Sequence, residues 1–330
     1  MLFVTFHKSN GNVHAYKDGD EIKSKVLNQH GEQLRGIYLF PGTPNYLYVV
    51  DGSKDSSNIY LYQGAGTCYD YMKTLASSAV TPAILHPFAL GIDNTGRCYV
   101  SNQNTNMVVT FIMDGLENFS IGETASYLTG KYPNGKFLDG TLVASSKANL
   151  PGASQTNDLQ EVPVADGGLG VEISPGDDPK VLHSVRDVVA FAYGTFQYPL
   201  VFVADEVSGL VRLYDPSGNP LMNSNQLDSP VHLLIAGETI YVSAGEQVLS
   251  SPVPNPYDKN APPWEFTPVD LSSAPPDGTV SGMTFDDKGN FFVAVRTTDK
   301  IMKYESGFTK GTIWASTKHK GPEFLLHVPE

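Results

Sequence analysis

The chain has 330 residues, 41% of them apolar and 17% charged, with 35 acidic against 22 basic side chains and a formal net charge of −13. That balance argues against nucleic acid and anionic membrane as partners, because both are bound through basic patches, and no run of about 18 apolar residues is present to cross a bilayer as a helix. The 31 glycines and 23 prolines, with 17 tyrosines and 16 phenylalanines, combine turn formers with strand formers and point to an all-β protein.

In chain order, "MLFVTF" (1–6) reads as a strand rather than a signal peptide, which makes the cytoplasm the expected location unless a leader preceded it. "NVHAYKDGD" (12–20) is a second strand with its turn. From there the chain repeats one unit: an apolar strand, a turn, an aromatic-rich strand, a polar loop and an alternating strand. The second unit holds "GIYLF" (36–40), "YLYVVDG" (46–52), "NIYLYQG" (58–64) and "KTLASS" (73–78). The third holds "FALGID" (88–93), "RCYVSN" (97–102), "MVVTFIM" (107–113) and an outer strand expected at "GTLVASS" (140–146). The fourth has "DVVAFA" (187–192), "LVFVADE" (200–206) and "LVRLYDPSGN" (210–219). The fifth has "VHLLIAG" (231–237), "TIYVSAG" (239–245), "QVLSSPV" (247–253) and "WEFTPVD" (264–270). The sixth has "SGMTFDD" (281–287), "NFFVAVR" (290–296), "KIMKYES" (300–306) and "GTIWAST" (311–317). A lone strand, "PEFLLHV" (322–328), ends the chain.

Sheets repeating at this period form a closed propeller. The first unit lacks an innermost strand and the last strand lacks a unit, so joining them closes the ring and hides both edges. Ile37, Leu90, Val188, Leu233, Met283 and Leu325 are the equivalent positions, at intervals of 53, 98, 45, 50 and 42 residues. The expectation is a single all-β domain over 1–330, a six-bladed propeller closed by its C-terminal strand. The double interval is read as a long insertion at about 120–183, a seventh blade being the alternative.

No phosphate-binding loop, zinc-protease motif, Cys-x-x-Cys pair or serine elbow occurs. Cys68 and Cys98 are too few for a disulfide framework and are expected to be two buried free thiols. The Asp51-Gly52, Asp18-Gly19 and Asp277-Gly278 pairs serve turns, and "DGSKDSSN" (51–58) starts like a calcium loop but lacks its glycine and glutamate.

Candidate chemistry follows from the architecture. Innermost strands begin at the channel mouth, and these beginnings carry Arg35, Phe88, Arg186 with Asp187, His232, Ser281 and Glu323. Charges converging on a narrow channel must pair, bind a ligand or stay wet. Paired, they would form a ring such as Arg186 with Glu323. As a ligand mouth, His232 is the proton carrier, Arg35 and Arg186 hold a carbonyl or carboxylate oxygen, and Phe88, Asp187, Ser281 and Glu323 bind substrate.

The repeat G-[MI]-x-[FI]-D-x-x-G-x-x-[FY]-V, at 282–293 and with small gaps at 91–100, resembles the NHL and SMP-30/gluconolactonase-like propellers across five of the six units. That resemblance implies lactone chemistry with a divalent metal held by Glu, Asn and Asp at innermost-strand starts. Only Glu323 in "GPEFLLHV" matches, with Asp187 out of context, so no cofactor is expected; one calcium or magnesium ion, with Glu323 and Asp187 as first ligands, is the alternative. "HSVRDVV", "LVFVADE" and "SPVHLL" also resemble fungal metal-free hetero-Diels–Alderase propellers of tropolone sesquiterpenoid biosynthesis. The expected function is a small-molecule enzyme at the channel mouth, a metal-independent cyclase or cycloaddition catalyst in natural-product biosynthesis. A metal-dependent lactonase and a non-catalytic binding propeller are the alternatives.

Overall fold

The computed structural model describes residues 1–7, 11–114 and 182–329 apart from short gaps (30, 41, 43, 54–55, 80–83, 95, 193–198, 217, 219, 259 and 319–320), with strand fragments at 118–119, 126–127, 130–131 and 137–138. These residues form six antiparallel blades around a channel. Blade 1 is built from both ends of the chain: Pro322–His327 lies innermost, followed by Leu2–Phe6, His14–Lys17 and Asp20–Lys23. Blade 2 runs Leu34–Phe40, Asn45–Asp51, Asn58–Ala65 and Cys68–Ser77, and blade 3 runs Pro87–Ile92, Arg97–Asn102 and Met107–Asp114. Blade 4 comprises Val185–Phe191, Leu200–Asp205, Leu210–Tyr214 and Pro220–Asn223. Blade 5 comprises Pro230–Ala236, Thr239–Ala244, Gln247–Pro252 and Thr267–Pro268, and blade 6 comprises Val280–Phe285, Phe291–Val295, Lys300–Tyr304 and Gly311–Ser316.

Closure is the expected one: Leu2 pairs with His327, Val4 with Leu325 and Thr5 with Phe324. The outer edge of blade 3 carries two short pairings. Asn118–Phe119 and Ser126–Tyr127 pair with Met107–Asp114, and the proposed strand 140–146, with most of the 120–183 insertion, lies outside the described residues.

Each blade buries both faces, which is why its second strand reads as an apolar run. Leu2–Phe6, Leu200–Asp205 and Phe291–Val295 are buried throughout. Side chains alternate between the two neighbouring blades. In blade 2, Leu47 and Val49 pack toward blade 1, whereas Tyr48 and Val50 pack toward blade 3. Six inter-blade cores result, the last joining Leu2, Val4 and Phe6 to Phe292, Ala294 and Ile301. Innermost strands approach closely where a side chain is absent: a Cβ on Gly36 would lie 2.7 Å from Ala89 Cα, and one on Gly282 2.6 Å from the Glu323 carbonyl. Hydroxyls staple neighbouring blades. Thr5 Oγ1 donates to the Arg35 carbonyl at 2.8 Å, Ser281 Oγ to that of Pro322 at 2.7 Å, and Ser101 Oγ to that of Arg186.

Two cysteine expectations separate. Both thiols are free, but Cys68 is exposed and only Cys98 is buried. The outermost strand of a blade faces solvent, and Cys68 starts one. The Asp51 carboxylate, which opens the calcium-like stretch, accepts bonds from the backbone of Glu32, Gln33 and Ser53 and so organises its own loop. Among the described residues no helix is long and apolar enough to cross a membrane.

Candidate functional site

All blades share one strand order around the ring, so the six innermost strands begin at one mouth of the channel and end at the other. The antiparallel second strands finish at the first mouth and bring their last side chains to it. Arg35 is buried there, with its guanidinium on the Glu323 carboxylate and Nη1 2.7 Å from His7 Nδ1. His7 Nδ1 also lies 3.3 Å from Glu323 Oε1, and Arg296 Nη1 approaches the same oxygen at 3.9 Å. A guanidinium can only donate, so His7 Nδ1 accepts from Arg35 as a lone pair or donates to Glu323 as N–H, never both. Burial alone would raise the Glu323 pKa, but Arg35 and His7 outweigh it and hold the carboxyl down at about 2.

Across the mouth, Arg186 makes two contacts to Glu206 Oε2, from Nη2 at 2.6 Å and from Nε at 2.7 Å, and Ser184 Oγ donates to the same oxygen. The guanidinium carbon of Arg186 sits 5.2 Å from the centre of the Phe88 ring. The remaining imidazole is that of His86, just before the innermost strand of blade 3, whose ring takes no hydrogen bond among the described residues. Burial first, then the charges of Arg35 and Arg186, push its pKa down to about 4, so it is neutral at physiological pH. Three guanidiniums and two carboxylates therefore meet two imidazoles. This is a locally positive basin in a chain of net charge −13.

Below the mouth the channel is crossed by an apolar belt of Phe88, Ala89, Val231 and Phe324, with the Phe88 and Phe324 rings 5.2 Å apart. Asp187 and His232 lie beyond it. Asp187 Oδ1 accepts from the Val188 amide and Oδ2 from the Leu233 amide, both at 2.8 Å, tying blade 4 to blade 5. His232 packs edge-on against Phe324 at 5.2 Å, with Nε2 3.7 Å from Asp187 Oδ2. Burial keeps the imidazole neutral down to about pH 3, so this is no ion pair.

The seven sequence-selected residues thus divide. Arg35, Arg186 and Glu323 meet at the mouth, where Phe88 floors Arg186, whereas Asp187 and His232 belong to the channel beyond. Ser281 is spent on the inter-blade staple. The expected pairing of Arg186 with Glu323 is replaced by two pairs, Arg186 with Glu206 and Arg35 with Glu323, because each carboxylate is nearest the arginine of its own or the adjoining blade. His7, His86, Arg296 and Glu206 were missed. His7, Arg296 and Glu206 each directly follow a second strand ("LFVTFH", "FFVAVR", "LVFVADE"), and antiparallel pairing puts that position level with an innermost-strand start, whereas His86 directly precedes the innermost strand Pro87–Ile92.

The two carboxylates proposed as metal ligands do not converge. The oxygens of Glu323 are engaged by arginine and histidine, those of Asp187 by backbone amides on the other side of the belt. Among the described residues no three His, Cys, Asp or Glu side chains gather as a donor set. Among the described residues the side chains at the mouth and in the channel do not fit a divalent cation.

This geometry defines a six-bladed β-propeller with a charged channel mouth. No protein-family model matches the sequence, and neither does any curated protein. Solved structures do match. A periplasmic gluconolactonase of Pseudomonas aeruginosa superposes with a TM-score of 0.58 at 12% identity, covering 99% of this chain and 98% of that one. A putative 6-phosphogluconolactonase of Bacteroides fragilis gives 0.52 at 13% identity, covering 99% and 97%. A chain of a nidogen/laminin complex gives 0.57 at 11% identity, covering 98% and 97%. Identities this low show the shared propeller fold alone, and a shared fold does not fix a function.

Proposed function

We propose that the chain is a metal-independent small-molecule enzyme working at the charged mouth, and that its reaction is hydrolysis of a lactone bearing an anionic group. One observation carries this reading: a neutral imidazole, His86, whose ring takes no hydrogen bond among the described residues, stands in the field of arginines already fixed by carboxylates. Arg186, held by Glu206 and backed by Phe88, is preorganised to stabilise the oxyanion formed when water adds to the carbonyl. Arg296, the more loosely paired guanidinium, is suited to the substrate's anionic group. His86 takes the water's proton and returns it to the ring oxygen as the C–O bond breaks. Arg35 and Glu323 brace the mouth as a buried pair. Two structural neighbours described as lactonases make this reaction the natural first assay.

Cyclisation or cycloaddition asks for a dry, shape-selective pocket beside the donors. The mouth is polar and partly open, with the side chains of Arg296 and His7 31% and 37% exposed, and hydrolysis is the chemistry its groups support. The test is hydrolysis of matched carboxylated, phosphorylated and neutral lactones with and without chelator. Expected is chelator-insensitive turnover of the anionic members, falling about 100-fold or more in Arg186→Ala, with preference for the anion reduced about tenfold in Arg296→Ala. Loss of activity on chelation overturns the metal-free mechanism. Binding of the anionic product without turnover places the chain among ligand-binding propellers.

A further inference from the structure

Beyond the aromatic belt the channel holds a cavity of about 290 Å³ that the chemistry of the mouth does not use. Its walls are the middles and ends of the innermost strands, with Leu90, Ile92, Val189, Phe191, Ile235 and Met283 among them. His232 and Asp187 stand at its inner end. The Asp187 oxygens already accept two backbone amides. His232 is different, since neither ring nitrogen has a hydrogen-bond partner among the described residues. Nδ1 is buried without one, and 3.7 Å from Nε2 to Asp187 is beyond hydrogen-bond reach. Buried polar groups normally find partners, and a neutral imidazole offers one donor and one acceptor. An unsatisfied imidazole at the end of an apolar cavity marks the place of a missing polar partner.

We propose that this cavity is a binding site for a neutral, lipophilic molecule of one or two rings carrying a single hydroxyl or carbonyl, which bonds to His232. The volume is at the small end of ligand pockets, about 300 Å³ and upward, which sets the ring count. The lining disfavours an anionic ligand, which would lose its hydration against aliphatic walls and meet the Asp187 carboxyl at the inner end rather than an opposite charge. Burial supports this by holding His232 neutral, so the imidazole offers an anion no positive charge. The site is separate from the mouth and stands whether or not the mouth is a lactonase.

The test uses 2-naphthol, naphthalene and 2-naphthoate as probes, with binding to the full chain followed by calorimetry or ligand-observed NMR. Expected is an order 2-naphthol, then naphthalene, then 2-naphthoate. His232→Phe should lower 2-naphthol affinity at least tenfold while leaving naphthalene within about twofold, and Ala190→Phe, which fills the cavity from its wall, should abolish both. Thermal unfolding checks that the variants fold, and Ala190→Phe keeps the test decisive if His232→Phe does not. Arg186→Ala should leave 2-naphthol binding unchanged, so failure here and failure of the lactonase reading are separable. Equal affinity for all three probes, no binding to the unaltered protein, or binding that survives Ala190→Phe overturns the proposal.

Discussion

At the scale of single residues, Glu323 ties the closing strand to blade 2. It sits on the strand supplied by the C-terminal end and meets Arg35 of blade 2, with exposures of 1% and 6% for the two side chains. Removing one member of a buried pair leaves the other charge uncompensated, at a cost of about 3–5 kcal/mol. Glu323→Gln should therefore lower stability by that order at pH 7. The sign with pH follows from its depressed pKa. The carboxylate contributes its stabilisation above the ordinary value of 4.5 and loses it as pH falls toward about 2. Urea unfolding of both proteins from pH 7 to 3 should show the gap narrowing below 4.5, and a gap of constant size would refute the assignment. A second residue-scale outcome concerns the thiols. Lys23 Nζ, 2.9 Å from Cys68 Sγ, lowers that thiol's pKa by hydrogen bonding and charge, whereas burial pushes Cys98 up. Native protein should take up one equivalent of iodoacetamide, at Cys68, and Lys23→Gln should slow the reaction. Peptide mapping reads the site directly.

At the scale of elements, the innermost strands carry two kinds of position. Small residues let neighbouring strands touch, and charged or aromatic ones furnish the channel. Gly282→Ala tests the first kind. The new methyl would meet the Glu323 carbonyl and the Leu325 amide, both backbone, and backbone cannot swing aside as a flexible side chain does. The expected cost is about 1–3 kcal/mol, read as a lowered Tm, and a neutral substitution would show that blades 6 and 1 can move apart. Most of this element plan was legible. Second strands such as "LVFVAD" read as unbroken apolar runs because both faces are covered, and glycine-centred turns marked their ends. Less legible were strands with little sequence pattern: Asp20–Lys23, mostly exposed, completes blade 1 without an apolar face to announce it. The short pairings of Asn118–Phe119 and Ser126–Tyr127 on the outer edge of blade 3 were illegible for a similar reason, since short edge pairings obey no burial period.

At the scale of the molecule, the channel is two compartments in one ring. The charged mouth and the neutral cavity are divided by Phe88, Val231 and Phe324. Counting innermost-strand starts placed Arg35, Arg186, His232 and Glu323 on a single level. The structure sets His232 one step lower, because it stands two residues after Pro230, where its strand starts, whereas Arg35, Arg186 and Glu323 each stand one residue after the start of theirs, at Leu34, Val185 and Pro322. Repeat period, blade number and ring closure were determined by the sequence itself, since each rests on local alternation and on turn chemistry that neighbouring residues dictate. Which arginine meets which carboxylate, and which histidines, at the mouth and behind the belt, find no ring hydrogen bond among the described residues, were decided only by the tertiary structure. Those facts depend on backbone register and on distances between blades hundreds of residues apart in the chain, to which no local pattern is sensitive.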